Sequence, residues 1–320
     1  TFTQEIVTFF IEKYPELEDK VLFERRGYFY NPVTGDELPL GTKDVLTYIK
    51  RAIKNGIYRK TKTFYSVPDE LMFNQVLFVE KAGFNIILKE SGLLDKLNLG
   101  VMSTQGFGTR AVKRLMKYFL DKGIKVYILH DCDVPGYLIC DKFLSGSDTY
   151  KEGLDVIKIG LTLDDAKKLG KDKDEYAEIV TYKKAYKKAL DMLNLSEEEK
   201  KFLIVDRDAK IYRRAELNTL TSPELIRFIE SKINHRPITP TIEQLRDYIS
   251  MDKTEIIKNA LYDVYASKIP DITIDKEEIA NRIQRAINHK MHWTAVLDKV
   301  LGEYTEEKVL ELSRLIMKKR

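Results

Sequence analysis

The chain has 320 residues, room for two or three domains, with 43% hydrophobic residues to build cores and 32% charged residues to solvate them. A formal net charge of +4 is too small to single out a polyanionic partner, and two cysteines exclude a disulfide framework and fit an intracellular protein. No apolar run reaches the length of a membrane span, no signal peptide opens the chain, and a first residue Thr1 points to processing or truncation.

Apolar spacing through Ile6, Phe9, Phe10, Ile11 and Tyr14 predicts an amphipathic helix over residues 1–20. The alternating aromatics of VLFERRGYFYNPVTGDELPLGT, broken by Asn31-Pro32 and Thr34-Gly35-Asp36, predict a β-hairpin. A helix over 43–62 runs into a basic stretch from Lys50 and Arg51 to Arg59, Lys60 and Lys62. Four apolar runs then read as strands: VLFVE (76–80), LGVMST (99–104), VYILH (126–130) and DVIKIG (155–160). Between them lie helical patterns at 81–94, at 109–123 with a stop at Gly123, and after Pro135-Gly136. This rhythm predicts an α/β fold with a mostly parallel sheet and helices on both faces. From about 163 the chain reads as helical, interrupted by KFLIVDRDAK (201–210); a helix begins at Pro223, and Pro237 and Pro240 mark a boundary. The expected segments are 1–70 (helix and hairpin), 71–236 (the α/β domain with its helical continuation) and 237–320 (a C-terminal helical extension), with no internal repeat.

Ligands of an open α/β sheet gather beyond the carboxyl ends of its strands. Glu80 ends the first strand of the α/β series, and Asp131 and Asp133 follow the third. If those strands are neighbours, three carboxylates meet at one edge, and like charges so close call for a cation. Hard oxygen ligands with room for water suit Mg²⁺ or Mn²⁺ rather than zinc. The glycine-rich turn QGFG (105–108) would lie at the same edge, where Gly106 and Gly108 let backbone approach a phosphate and Arg110 opens a helix.

Other polar features have plainer readings. FLIVDRD (202–208) also ends an apolar run in two aspartates, Asp206 and Asp208, so the spacing alone is weak. His289 and His292 are one helical turn apart but have no third zinc ligand nearby in sequence, and a helix face with Trp293 is the default. Cys132 reads as a small buried residue and His130 as a core contact. The basic runs at 50–62 and at 183–188 could meet phosphates or simply face water.

FVEK (78–81), TQGFGTRAVKRL (104–115) and HDCDVPG (130–136) follow one another in an order that resembles a Toprim domain, most closely that of the A subunit of archaeal topoisomerase VI and its meiotic double-strand-break relatives. The family more usually has Pro directly after the second aspartate; here Val134 intervenes. VIKIGLTLDDAKKLG (156–170) and RRAELNTLTSPELIRFIESKI (213–233) are similar to later family segments, so the resemblance spans roughly 70–233. It implies a Rossmann-like Toprim fold and Mg²⁺-dependent cleavage of double-stranded DNA. Glu80, Asp131 and Asp133 would be the metal ligands, Glu80 alternatively a general acid/base, and Arg213 and Arg214 would lie near the DNA. It further implies a homodimer, a partner with ATPase activity, and a cytoplasmic or nucleoid-associated location.

In that family a winged-helix tyrosine attacks the DNA. ERRGYFYNP (24–32) offers Tyr28 and Tyr30, but hairpin aromatics normally pack, and a phenol needs activation to attack at neutral pH. The hairpin resembles the family's linker between winged helix and Toprim. Either a winged helix precedes Thr1, or the chain is a relative that needs no tyrosine. One such relative is the hydrolytic Toprim nuclease of the bacterial Wadjet anti-plasmid system. A non-catalytic DNA-binding or assembly component is the third alternative.

Overall fold

The computed structural model describes residues 9–11, 13–14, 27–55, 57–58, 66–67, 69–81, 83–104, 110–146, 152–182, 186, 190–191, 193–248, 274–287 and 291–318. Its strands, in chain order, are β1 (Tyr28–Tyr30), β2 (Glu37–Pro39), β3 (Ile57–Tyr58), β4 (Ser66–Val67), β5 (Gln75–Val79), β6 (Leu99–Ser103), β7 (Lys125–Leu129), β8 (Ile157–Gly160), β9 (Glu178–Thr181), β10 (Ile204–Asp206) and β11 (Ile211–Arg214). The chain divides into two compact units, one of residues 1–51 with 73–235 and one of 52–72 with 236–320.

The first unit is built outward from β5. QVLFV is buried along its whole length, as a parallel strand covered on both faces must be. Its polar first residue is satisfied: Gln75 Nε2 donates to the Leu97 carbonyl at 2.7 Å, and Tyr127 Oη donates to Gln75 Oε1 at 3.0 Å. The six-stranded sheet runs β2-β1-β6-β5-β7-β8, with β6, β5, β7 and β8 parallel and the β1–β2 hairpin antiparallel on its flank. Leu77, Val79, Leu99 and Val101 share a core with Phe84, Leu88 and Leu93 of the two helices Phe84–Glu90 and Leu93–Leu97. Alternate residues meet the opposite layer, where Phe78 packs on Phe143 of the Val134–Leu144 helix with ring centroids 4.9 Å apart. The α/β sheet with helices on both faces is the one expected.

The hairpin joins this sheet because its turn is fixed internally. Asn31 Oδ1 accepts from the Val33 and Thr34 amides at 2.9 and 3.2 Å. That places Phe29 under the sheet, 5.4 Å from the Phe73 ring and 5.1 Å from Phe119. Only glycine fits opposite: a Cβ on Gly100 would lie 2.8 Å from Phe29 Cε2.

The stretch expected to be helical after 163 is different. It forms a capped helix, Leu163–Lys168, and then contributes β9 to an antiparallel sheet ordered β10-β11-β9. The FLIVDRD aspartate Asp206 caps the turn between β10 and β11, accepting from the Asp208 and Ala209 amides at 2.9 and 2.8 Å. Of the predicted 1–20 helix, residues 9–11 and 13 are helical and most of the others fall outside the described residues.

Among the described residues of the second unit, the regular structure is helical apart from the short β3–β4 ladder. Its helix Lys276–Ala286 packs on Ile242–Tyr248 and on Trp293–Lys318. Trp293 is buried and its Nε1 donates to the Leu71 carbonyl.

Phe29→Ala removes the ring on which the hairpin is seated. Urea unfolding of the variant is expected to show a loss of about 3–5 kcal/mol; a loss below about 1 kcal/mol would mean the hairpin is not integral to the core.

Candidate active site

The parallel strands stand in the order second-first-third-fourth: the β5–β6 crossover runs to one side of β5 and the β6–β7 crossover carries the chain to its other side, which makes the β5–β7 boundary the switch point of the sheet. The two strands pair in register from Gln75 with Lys125 to Val79 with Leu129. Glu80 follows Val79 directly, and Asp131 comes two residues after Leu129, so the condition on strand order is met and both reach the same edge.

Each aspartate is fixed by backbone. Asp133 is the N-cap of the Val134–Leu144 helix, its Oδ1 accepting from the Gly136 amide at 2.7 Å. Pro135 lies in that helix's first turn, where no amide hydrogen is needed, so the intervening Val134 is accommodated without loss. Gly136 is required by close approach: a Cβ there would sit 2.3 Å from the Asp131 carbonyl oxygen. Cys132 exchanges two backbone hydrogen bonds with Ala215, at 2.9 and 3.0 Å. This lacing brings the chain after β11 against the aspartates. The Leu217 amide donates to Asp131 Oδ1 at 2.7 Å, and Glu216 arrives beside it. Tyr182 Oη reaches Asp133 Oδ2 at 3.3 Å from a packed group with Tyr186 and Tyr212.

The electrostatics follow from crowding. Burial, then the charges of Asp133 and Asp131, push the Glu80 carboxyl up to about 7. Burial also raises Asp133, to about 6, against the pull of the Gly136 amide. One ammonium offsets them: Lys81 Nζ lies 2.8 Å from Asp131 Oδ2 and 3.4 Å from Glu216 Oε2. Burial lowers the Lys81 pKa, but Asp131 and Glu216 together carry it above its ordinary value.

Carboxylate oxygens in excess over nearby cations are a donor set suited to a hard divalent ion. Glu80 and Asp133, raised by burial and mutual repulsion, are groups that such an ion would relieve. Among the described residues no three acidic, His or Cys side chains converge tightly enough to hold a metal as they stand. Here Lys81 supplies the positive charge, and the fit is one of chemistry and placement.

The other candidate residues are dispersed. Gly106 and Gly108 fall outside the described residues, and Arg110 is the first residue of the Arg110–Asp121 helix. Arg214 pairs with Glu178 at 2.7 Å and with Glu216 at 2.8 Å, which ties it to the acidic edge. Arg213, the preceding position on β11, pairs with Asp174 at 3.4 Å and lies over Phe202. Tyr28 and Tyr30 sit on β1, separated from β5 by β6, with Lys89 Nζ 5.9 and 4.0 Å from their ring centroids. Burial and Glu37 raise the Tyr28 phenol, opposite to the shift that activates a nucleophile.

Cys132 is buried with its thiol pushed up to about 12, an inert state. His130 is fully buried, lowered to about 4 chiefly by that burial, and its Nδ1 donates to the Asp131 carbonyl at 2.8 Å. His292 bonds the Met72 carbonyl through Nε2 and Thr294 Oγ1 through Nδ1, which leaves neither nitrogen for zinc; His289 is outside the described residues.

Sequence reasoning did not assign roles to Glu216, Lys81 or Tyr182. Lys81 stands within FVEK, and Glu216 directly follows Arg213-Arg214-Ala215. Those positions were the available signals; Tyr182 had none.

Residues 75–233 match the family model for the Toprim domain shared by Spo11 and the topoisomerase 6 A subunit. No curated protein matches the chain.

The raised carboxyls make metal-free stability depend on pH. With a folded value near 7 against an ordinary 4.5, protonated Glu80 contributes stability that is complete below 4.5 and lost as pH rises through about 7. Asp133 adds a loss of the same sign through about 6. In EDTA, Glu80→Gln is expected to melt higher than the unmodified chain at about pH 8 and equally at about pH 4. A difference that does not change with pH would show that Glu80 is not the titrating group.

Proposed function

We propose that this Toprim domain of the topoisomerase 6 and Spo11 type cleaves DNA strands with the help of Mg²⁺ or Mn²⁺ held by Glu80, Asp131 and Asp133. The family acts on DNA, which supports DNA as the substrate class. The observation that carries the reading is the pairing of β5 with β7, which delivers Glu80 to the two aspartates at the switch point of the sheet. The raised carboxyls of Glu80 and Asp133 add support, because perturbed acids cluster where chemistry is done.

A divalent ion bound there would stabilise negative charge on the scissile phosphate and its leaving oxygen. The chain's own residues have separate tasks. The Gly136 and Leu217 amides hold Asp133 and Asp131 in place. Glu80, with a carboxyl near neutrality, is either a ligand or the group that takes a proton from the attacking hydroxyl at a carboxylate oxygen. In hydrolysis, water adds to phosphorus, the sugar oxygen leaves, and the water proton is returned to it. We favour this route over attack by Tyr28 or Tyr30, which lie across β6 from the acids, the Tyr28 phenol being raised by burial and by Glu37. Action as a homodimer, with an ATPase partner and inside the cell, is part of the same proposal by family likeness.

Supercoiled plasmid incubated with Mg²⁺ or Mn²⁺, stopped with SDS and run with and without protease, tests it. Cutting with free ends is expected. Asp131→Ala should lower it by at least about 100-fold, since even outer partners of a metal site are worth 10–100-fold. Ends that enter the gel only after protease would establish covalent attack by a tyrosine instead. Absence of cutting under all conditions would leave a DNA-binding or assembly role.

A further inference from the structure

Two carboxylates at the acidic edge are clamped in the same manner. Asp131 has Oδ1 fixed by the Leu217 amide at 2.7 Å, and Glu216 has Oε1 fixed by Arg214 Nη1 at 2.8 Å. The second oxygen of each faces a single ammonium, Lys81 Nζ, at 2.8 Å from Asp131 Oδ2 and 3.4 Å from Glu216 Oε2. An ammonium is a compact, strongly hydrated point charge on a flexible stem. Lys81 therefore sits where a small cation is wanted, and the Leu217 amide and the Arg214 guanidinium hold the first oxygen of each carboxylate independently of it.

We propose that Lys81 is a resident counter-ion: it holds Asp131 Oδ2 and Glu216 Oε2 in the metal-free protein and gives them up to a divalent cation. Glu216 thereby becomes a fourth carboxylate facing that cation. This rests on the metal-dependent reading above. Lys81 is suited to leave, because its side chain is 36% exposed while Asp131 is at 5%. The ammonium can swing to water on its four-carbon stem, whereas the carboxylate cannot follow it. Two observations agree. Lys81 directly follows the proposed ligand Glu80 at the end of β5. Its ammonium offsets crowded acids, of which Asp131 and Asp133 are buried.

The test uses the full chain and Mg²⁺ as the probe. Acetylation of the Lys81 amine, followed by mass spectrometry, should be slow in EDTA and faster with Mg²⁺, and Asp131→Asn should abolish the difference. By calorimetry, Lys81→Met should bind Mg²⁺ about fivefold more tightly than the unmodified chain, the scale of one partly exposed ion pair. In EDTA the same variant should melt lower, because the acids lose their cation. Equal or weaker Mg²⁺ binding by Lys81→Met, or Lys81 labelling that ignores Mg²⁺, would overturn the counter-ion role and leave the metal-dependent reading standing. Absence of Mg²⁺ binding by both proteins would overturn that reading and this proposal with it. Should Lys81→Met fail to fold, the labelling of the unmodified chain decides alone.

Discussion

Like charges crowded at one edge, two buried and two half-buried, are the constraint on which this structure turns. Glu80, Asp131, Asp133 and Glu216 meet at one edge, and burial with mutual repulsion lifts Glu80 and Asp133 well above the ordinary carboxylate range. Such an arrangement is costly to a fold unless cations and amide dipoles answer it. Here the answers are Lys81, Arg214, the N-terminal amide of the Val134–Leu144 helix and the Leu217 amide. A fold that keeps this cluster retains a place for positive charge, and that links its stability to its chemistry.

The architecture concentrates the acids by simple means. β5 is the centre of the sheet, buried along its length, and the direction of the strand order changes between β5 and β7. The small antiparallel sheet then works as a brace. The segment following β11 pairs with Cys132, delivers Glu216 and supplies the Leu217 amide, while Tyr182, just past β9, leans on Asp133. Precision at the edge therefore comes from two sheets, one presenting the acids and one holding them.

Much of this was legible in the chain. The alternation of apolar runs and amphipathic stretches from 76 to 160 was enough for the parallel sheet, and the acids at the ends of two runs pointed to Glu80, Asp131 and Asp133 as residues of one sheet edge. The order of strands was not legible, because β5 and β7 become neighbours only through crossover geometry. Glu216 and Lys81 lacked a readable signal of partnership, since the bond between them joins distant parts of the chain. β9 escaped because EIVT is short and mostly exposed within a stretch rich in Lys, Asp and Glu, where a helix pattern fits as well. The aspartates of FLIVDRD look like those of HDCDVPG in sequence, yet Asp206 caps an exposed turn and Asp133 a buried helix start. What separates them is the company each keeps.

The proposed role of the acidic edge is to bind a divalent metal. The most direct measurement is Mn²⁺ binding followed by electron paramagnetic resonance, in the unmodified chain and in Asp133→Asn. The account predicts that free Mn²⁺ signal is quenched by the unmodified chain and that Asp133→Asn largely restores it while keeping the same fold by circular dichroism. Equal quenching by both proteins would place any bound Mn²⁺ elsewhere and contradict the account.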